Sequence, residues 1–361
     1  MENDPGEGTT EASDSAGSPI TDDGNPVMLT QENPSPRSSA QTKHSRGDLL
    51  TSFAARFAFF GAWLMMIVLF WLLEPRYMSW TSAKSILSGE QALIFLALAL
   101  MATLVIGEID LSVTSTLGLA ATLVLVLNIW HDVDLLTASI IAVAVSTLVG
   151  VVNGILVVGF GVSPFVVTLG MGTFVLGIGM AISDMMSIAG LDRSFTVIST
   201  DRIGPFPISF YYGVIGALVF AYVLYRTPLG HQMRFVGANP VVARLAGIRV
   251  RRIKFCTFVF AAFISGVGGV VMVAGLGGYN ASGSGVFLLP VISATFLSTA
   301  VFDPGKFNPL GVLVSVYFLR SGVVGLQMLG VAEWCKSAFY GGALVVAVTA
   351  STLLDRRRAD A

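Results

Sequence analysis

The stretch YRTPLGHQMRFVGANPVVARLAGIRVRRIKF, residues 225–255, is the longest break in a C-terminal half that is otherwise almost continuously apolar. Seven of the chain's 21 Lys and Arg residues fall inside it, and it contains no Asp or Glu. Basic loops that flank membrane spans stay on the cytoplasmic side, so this one orients everything around it. The stretch also carries local order. Asn239 suits an N-cap, Pro240 the first helical position and Gly247 the residue after the last turn. Between them Val242, Leu245 and Ala246 fall on one helical face at i, i+3, i+4 spacing. Two turns of helix are too short to stand alone and need something to pack against. The stripe therefore docks on a partner, or lies as a connector on the protein's own helix ends.

Composition agrees with a membrane protein. Hydrophobic residues make up 54% and charged residues 12%, against about 25% charge in a soluble domain, and mean hydropathy is +0.78. A net charge of −1 argues against a nucleic-acid partner. Cys256 and Cys335 are too few for a disulfide framework or a zinc site. His44, His131 and His231 share no metal-ligand spacing, and no nucleophile elbow or zinc-protease motif is present.

Residues 1–48 are rich in Ser, Thr, Pro, Gly, Asn and acids, have neither a basic start nor an apolar core, and read as a disordered cytoplasmic tail. With about 20 apolar residues needed per span, the rest divides into ten candidates: 53–73, 86–106, 113–128, 135–158, 164–182, 210–224, 255–274, 286–301, 309–329 and 334–354. The reading is an all-α membrane protein of about ten spans with both termini cytoplasmic. Residues 49–355 form the transmembrane domain, 226–254 its cytoplasmic loop, and 356–361 a basic end. Residues 184–208 and 276–285 are exterior loops.

Several polar residues sit inside this apolar frame. GEIDLS at 107–112 places Glu108 and Asp110 at or near membrane depth, where carboxylates must be paired, solvated or protonated. Asp110 faces a central pathway or hydrogen-bonds the helix break, or Asp110 or Ser112 caps the helix beginning near Val113. Asn153 lies within Gly150-x-x-x-Gly154, a spacing for close helix approach, as an interhelical hydrogen-bonding group or a pathway group. Pro164 marks a helix start, followed by Phe165, and Gly170, Gly172, Gly177 and Gly179 read as close packing. Arg320 stands mid-span. It pairs with Asp110, Glu108 or Asp184, or faces an aqueous cavity and the solute, or marks a misplaced span end.

Three motifs carry a resemblance. RTPLGHQMRFVGANPVVARLAGI resembles the cytoplasmic coupling loop of the ribose-type ABC transporter permeases, which import monosaccharides into bacteria. GEIDLS resembles that family's G-G-I-D-L-S, with Glu108 in place of a glycine, and Asn153-Gly154 followed by PFVVTLG at 164–170 resembles another of its signatures. RSG at 320–322 departs from the family's N-N-G. The likeness spans residues 50–355. It implies a permease in the bacterial inner membrane, not itself an enzyme, that moves a simple sugar. It implies a homodimer with its pathway on the two-fold axis, a separate cytoplasmic ATPase that binds ATP and Mg while this chain binds no cofactor, and an extracytoplasmic sugar-binding protein. The coupling set would be Arg234, Gly237, Asn239, Pro240, Val242, Arg244, Leu245, Ala246 and Gly247. The pathway or helix-break set would be Glu108, Asp110, Ser112, Asn153, Pro164, Phe165 and Arg320. An ATP-independent carrier using the intramembrane charges, a structural or signalling membrane protein, and a permease for nucleosides or branched-chain amino acids are the alternatives.

Overall fold

A computed structural model describes the backbone of residues 46–302 and 305–359 and the side chains of most of them; the reading of residues 1–48 as a disordered tail falls almost wholly outside this range. In chain order the elements are α1 (Arg46–Leu73), α2 (Trp80–Ser88), α3 (Gln91–Val105), α4 (Val113–Leu125), α5 (Leu135–Gly154), α6 (Pro164–Ile182), β1 (Ser187–Ala189), α7 (Arg193–Thr200), β2 (Arg202–Ile203), β3 (Phe206–Pro207), α8 (Ile208–Arg226), α9 (Pro228–Ala238), α10 (Pro240–Leu245), α11 (Val250–Leu276), β4 (Gly278–Asn280), α12 (Leu288–Leu297), α13 (Pro309–Met328) and α14 (Trp334–Ala359).

Among the described residues seven helical segments are long and apolar enough to cross a bilayer, and the α2–α3 pair makes an eighth if counted as one span. The protein is thus an all-α membrane protein. The apolar run expected at 86–106 is broken rather than continuous. α2 and α3 meet at a 42° bend, at Gly89 and Glu90, where glycine and a charged residue replace the helix-forming pattern.

The core forms around α3. Its residues from Gln91 to Thr103 are all buried, as expected of a helix apolar on every side. The 27-residue α11 packs against α3, α4 and α5. Lipid tails are as apolar as leucine, so such contacts depend on close packing rather than on water exclusion. Gly150 of α5 shows how close it is: a Cβ there would fall 2.6 Å from the Ala262 Cβ of α11. Gly154 likewise faces the Phe255 ring. Of the four α6 glycines expected to pack, Gly172 and Gly179 do, against Ser112 and Ala281, whereas Gly170 and Gly177 face open space.

The segment 184–208, expected as a polar loop, is ordered instead. It contains α7 and the short β2–β3 hairpin, and β1 pairs antiparallel with β4, aligning Ile188 with Tyr279. This ladder ties it to the other expected exterior loop. Strands of two or three residues carry too little alternation to be read from sequence.

Candidate functional site

The basic loop folds into two helices, α9 and α10, hinged at Asn239. Asn239 ends α9 and caps α10, its Oδ1 accepting from the N–H groups of Val241 (3.0 Å) and Val242 (3.1 Å). Pro240 occupies N1, where its missing N–H costs nothing. At the far end the Ile248 N–H donates to Ala243 O and the Gly247 N–H to Arg244 O, both at 3.0 Å. This is the Schellman pattern, and it requires the φ of +81° that Gly247 adopts.

With both ends tied, α10 presents one inward residue and an outward apolar surface. Ala243 is fully buried, while Val241 is 64%, Val242 45% and Leu245 83% exposed; Ala246 and Arg244 are exposed too. The stripe of Val242, Leu245 and Ala246 therefore does not lie on the protein's own helix ends. Arg234 behaves differently from Arg244. It is half-buried, its guanidinium 5.4 Å over the Tyr225 ring.

The loop is anchored to the rest of the protein at three places. Gly237 of α9 sits directly against the carbonyl oxygen of Val105, at the end of α3, where a Cβ would collide with backbone. Lys254, in the first turns of α11, forms an ion pair with Glu108. Arg251 donates to the carbonyl oxygens of Val158 (2.9 Å) and Gly159 (3.4 Å), closing the end of the α5 segment. The turn 107–112 thus meets both α9 and the start of α11. Reading the sequence alone counted Lys254 only as one basic residue among seven; its partner lies 146 positions away.

Inside that turn Asp110 is fully buried, and its Oδ1 accepts from the Ser112 N–H (2.9 Å) and hydroxyl (2.6 Å). The Ser112 Oγ in turn accepts from Asn153 Nδ2 at 2.8 Å, and the Leu111 N–H donates to Thr168 Oγ1 at 3.1 Å. Two hydrogen-bonded links therefore join the α3–α4 turn to α5 and to α6. Ser112 precedes α4 but makes no side-chain cap bond. Asp110, with no exposed surface, is placed to hold the turn. Thr168 was missed as a site residue because a threonine in an apolar helix commonly bonds within its own turn. Pro164 and Phe165 open α6 at N1 and N2, with Phe165 52% exposed.

Arg320 pairs with Glu90, Nη1 to Oε1 at 3.1 Å, and not with Asp110, Glu108 or Asp184. The reason is axial position. Glu108 and Asp110 follow the C-terminus of α3, Glu90 precedes its N-terminus, and 15 residues of helix set the two ends about 22 Å apart. Asp184 is exposed in the turn after α6. Among the described residues no group of His, Cys, Asp and Glu comes together as metal ligands.

The described residues thus form a polytopic membrane bundle with a capped, outward-facing helix in a basic loop. The family of permease components of branched-chain amino acid transport systems matches residues 84–348, and the chain belongs to it. Permease subunits of this family are not enzymes; they reside in the bacterial inner membrane as the membrane part of ABC importers, with ATPase and substrate-binding partners. The chain is similar to the autoinducer 2 import system permease protein LsrD of Photorhabdus temperata, 26% identical over 80% of this chain and 89% of that one. It is similar also to the LsrD protein of Escherichia coli K12, 28% identical over 81% and 90%. No solved structure matches it.

Proposed function

We propose that this chain is the membrane-spanning subunit through which a simple sugar enters the cell, driven at α10 by an ATPase that binds ATP and Mg while this chain binds no cofactor. The observation that carries the reading is the exposure of Leu245, at 83% on a helix capped at both ends. A rigid two-turn helix that offers leucine to solvent fits a groove on a partner, as helix-in-groove recognition does. Arg244 lies at its exposed edge, beside acidic groups of that partner; Arg234, folded onto Tyr225, supports α9 instead.

The anchors suggest how motion spreads. Closure of the nucleotide-bound ATPase pair displaces α10. Through Gly237 the displacement reaches the end of α3, and through Lys254 and Glu108 it reaches α11 and the 107–112 turn. The Asp110–Ser112–Asn153 chain passes it to α5, and the Leu111–Thr168 bond to α6. The monosaccharide solute follows from the resemblance of the coupling loop, GEIDLS and PFVVTLG to ribose-type permeases; LsrD proteins, named for autoinducer 2 import, are related carriers of a small solute. The seven spans, the bent pair, α1 and α14 together supply ten crossings, which leave both termini in the cytoplasm, and a binding protein delivers the sugar to the β1–β4 side.

The test is copurification. The wild-type chain, expressed with its ATPase subunit, retains that subunit, and Leu245→Asp loses it, while α10 stays folded because both caps are untouched. Retention of the ATPase by Leu245→Asp defeats the coupling reading.

Two copies of this chain form the pathway, with α6 at the seam. This helix is the least buried of the seven spans, at 22%. Gly170, Thr173 and Gly177 share its outward face, and both glycines are open. Small residues let two backbones approach closely in a bilayer. Thr173→Cys, in a chain with Cys256 and Cys335 replaced by serine, therefore forms an oxidative dimer in membranes. A cysteine at Ile140, outward on α5, does not; equal cross-linking at both positions removes α6 from the seam.

A further inference from the structure

The bend between α2 and α3 opens a cavity of about 350 Å³, walled by the end of α2, the start of α3, the α7–β3 segment and the last turns of α11. In the orientation proposed above it lies on the extracytoplasmic side, far from α10.

Its charged lining is wholly cationic, with the hydroxyls of Ser88, Ser199, Thr200 and Ser209 beside it. Lys84 and Arg202 line it, and no carboxylate does. Neither cation has a carboxylate partner among the described residues; Lys84 rests 5.5 Å over the Trp80 ring. Gln91, the first residue of α3, is also in the lining, 9% exposed, and its Nε2 is buried without a hydrogen-bond partner. A buried amide N–H without an acceptor is costly, and such groups in native proteins call for an explanation.

The same place is a helix N-terminus. Gln91 and Ala92, the first two residues of α3, both line the cavity, and the first backbone bond of the helix is from the Ile94 N–H to Glu90 O, at 3.0 Å. The side chain of Glu90 makes no cap bond, because its carboxylate turns to Arg320. The leading N–H groups and the positive end of the helix dipole are therefore left to whatever enters. Met272, Leu276 and Phe287 make the apolar wall.

We infer that this cavity binds a small molecule through a carboxylate or phosphate oxyanion, seated on the α3 N-terminus and the Gln91 amide between Lys84 and Arg202. The volume accommodates a body of monosaccharide size, within the usual range of about 300–1,000 Å³ for ligand pockets. Two sources offer that chemistry: a soluble acid such as a uronate, or the headgroup of an anionic phospholipid at the outer interface. The site does not rest on the docking role of α10.

The experiment uses the full chain in phosphatidylcholine nanodiscs, titrated calorimetrically with galacturonate and, as the uncharged control, galactose. Saturable galacturonate binding with no comparable galactose binding is expected, and Lys84→Gln and Arg202→Gln should each weaken it about tenfold. Gln91→Leu should weaken it too. In a second arm, phosphatidylglycerol is introduced into the nanodiscs and thermal unfolding is followed. A rise in melting temperature in the wild type, absent in the Lys84→Gln/Arg202→Gln double variant, assigns the oxyanion to a lipid headgroup. Both substitutions lie at the cavity mouth, so an unchanged melting temperature in plain phosphatidylcholine shows that the variants are folded. Absence of both responses, or responses that the double variant leaves intact, overturns the inference. Copurification of the ATPase reads α10 and is unaffected either way.

Discussion

Replacing Arg320 with methionine will destabilise the folded protein by about 3 kcal/mol, because it strands the Glu90 carboxylate among apolar helices. The pair is well shielded, its side chains 22% and 13% exposed. Breaking one side of such a pair costs far more than removing both, since the loss is the desolvation of the charge left behind. Arg320→Met/Glu90→Gln should therefore recover most of the stability lost by the single variant, as read by unfolding in detergent under identical conditions. The contrast separates two roles for an arginine in a membrane span. If Arg320 touched the solute, Arg320→Met would impair uptake with stability unchanged, and the Glu90 substitution would rescue nothing. That result would return Arg320 to the pathway.

Gly237→Val is expected to abolish solute uptake, to about a tenth of wild type or below, while the ATPase still copurifies. The new Cβ would meet the carbonyl oxygen of Val105, with the Val105 carbonyl carbon 3.0 Å and the Ile106 carbonyl carbon 3.3 Å away. These are backbone atoms at the end of a helix buried along most of its length and cannot turn aside, so α9 must lift from α3. In the proposed coupling, docking depends on the outer face of α10, which this substitution leaves alone. Transmission depends on the contact of α9 with α3, which it breaks. Normal uptake in Gly237→Val, or loss of the ATPase as complete as in Leu245→Asp, would show that docking and transmission are not separable in this way. Gly237→Ala should fall between wild type and valine.

Both arguments turn on contacts that local sequence does not encode. The α10 helix was legible because its determinants are adjacent: Asn239 before Pro240, Gly247 after the last turn, an apolar triplet between. Caps act over three or four residues, and so does the pattern that reveals them. The spans were legible for a similar reason, since the bilayer demands a long apolar run whatever its neighbours. Even so, the run at 86–106 concealed its break. SGEQ at 88–91 marks a weak point, yet the partner of Glu90 at that bend, Arg320, lies some 230 residues on.

Arg320 shows the limit well. An arginine in mid-span announces that it needs a partner, and sequence offered Asp110, Glu108 and Asp184. Glu90, inside the expected span at 86–106, was not weighed as a partner. Only the axial placement of α3 and α13 brings those two side chains to one level and sets Glu108 and Asp110 at the other. The glycines of α6 make the same point. All four suit close packing, but two meet Ser112 and Ala281 and two meet nothing within the chain.

By itself the sequence determined that this protein lives in a bilayer, that its positive charge gathers in one loop, and that the loop carries a capped helix. Those properties follow from hydropathy, charge asymmetry and capping, each a property of contiguous residues. The tertiary structure alone decided which carboxylate meets which cation, that Leu245 faces outward, that Gly237 leans on α3, and that Lys84 and Arg202 line one cavity at the α2–α3 bend. In a membrane every helix is apolar, so apolarity cannot choose its neighbours. Close packing of small residues and pairing of buried charges make that choice, and both join residues far apart in the chain.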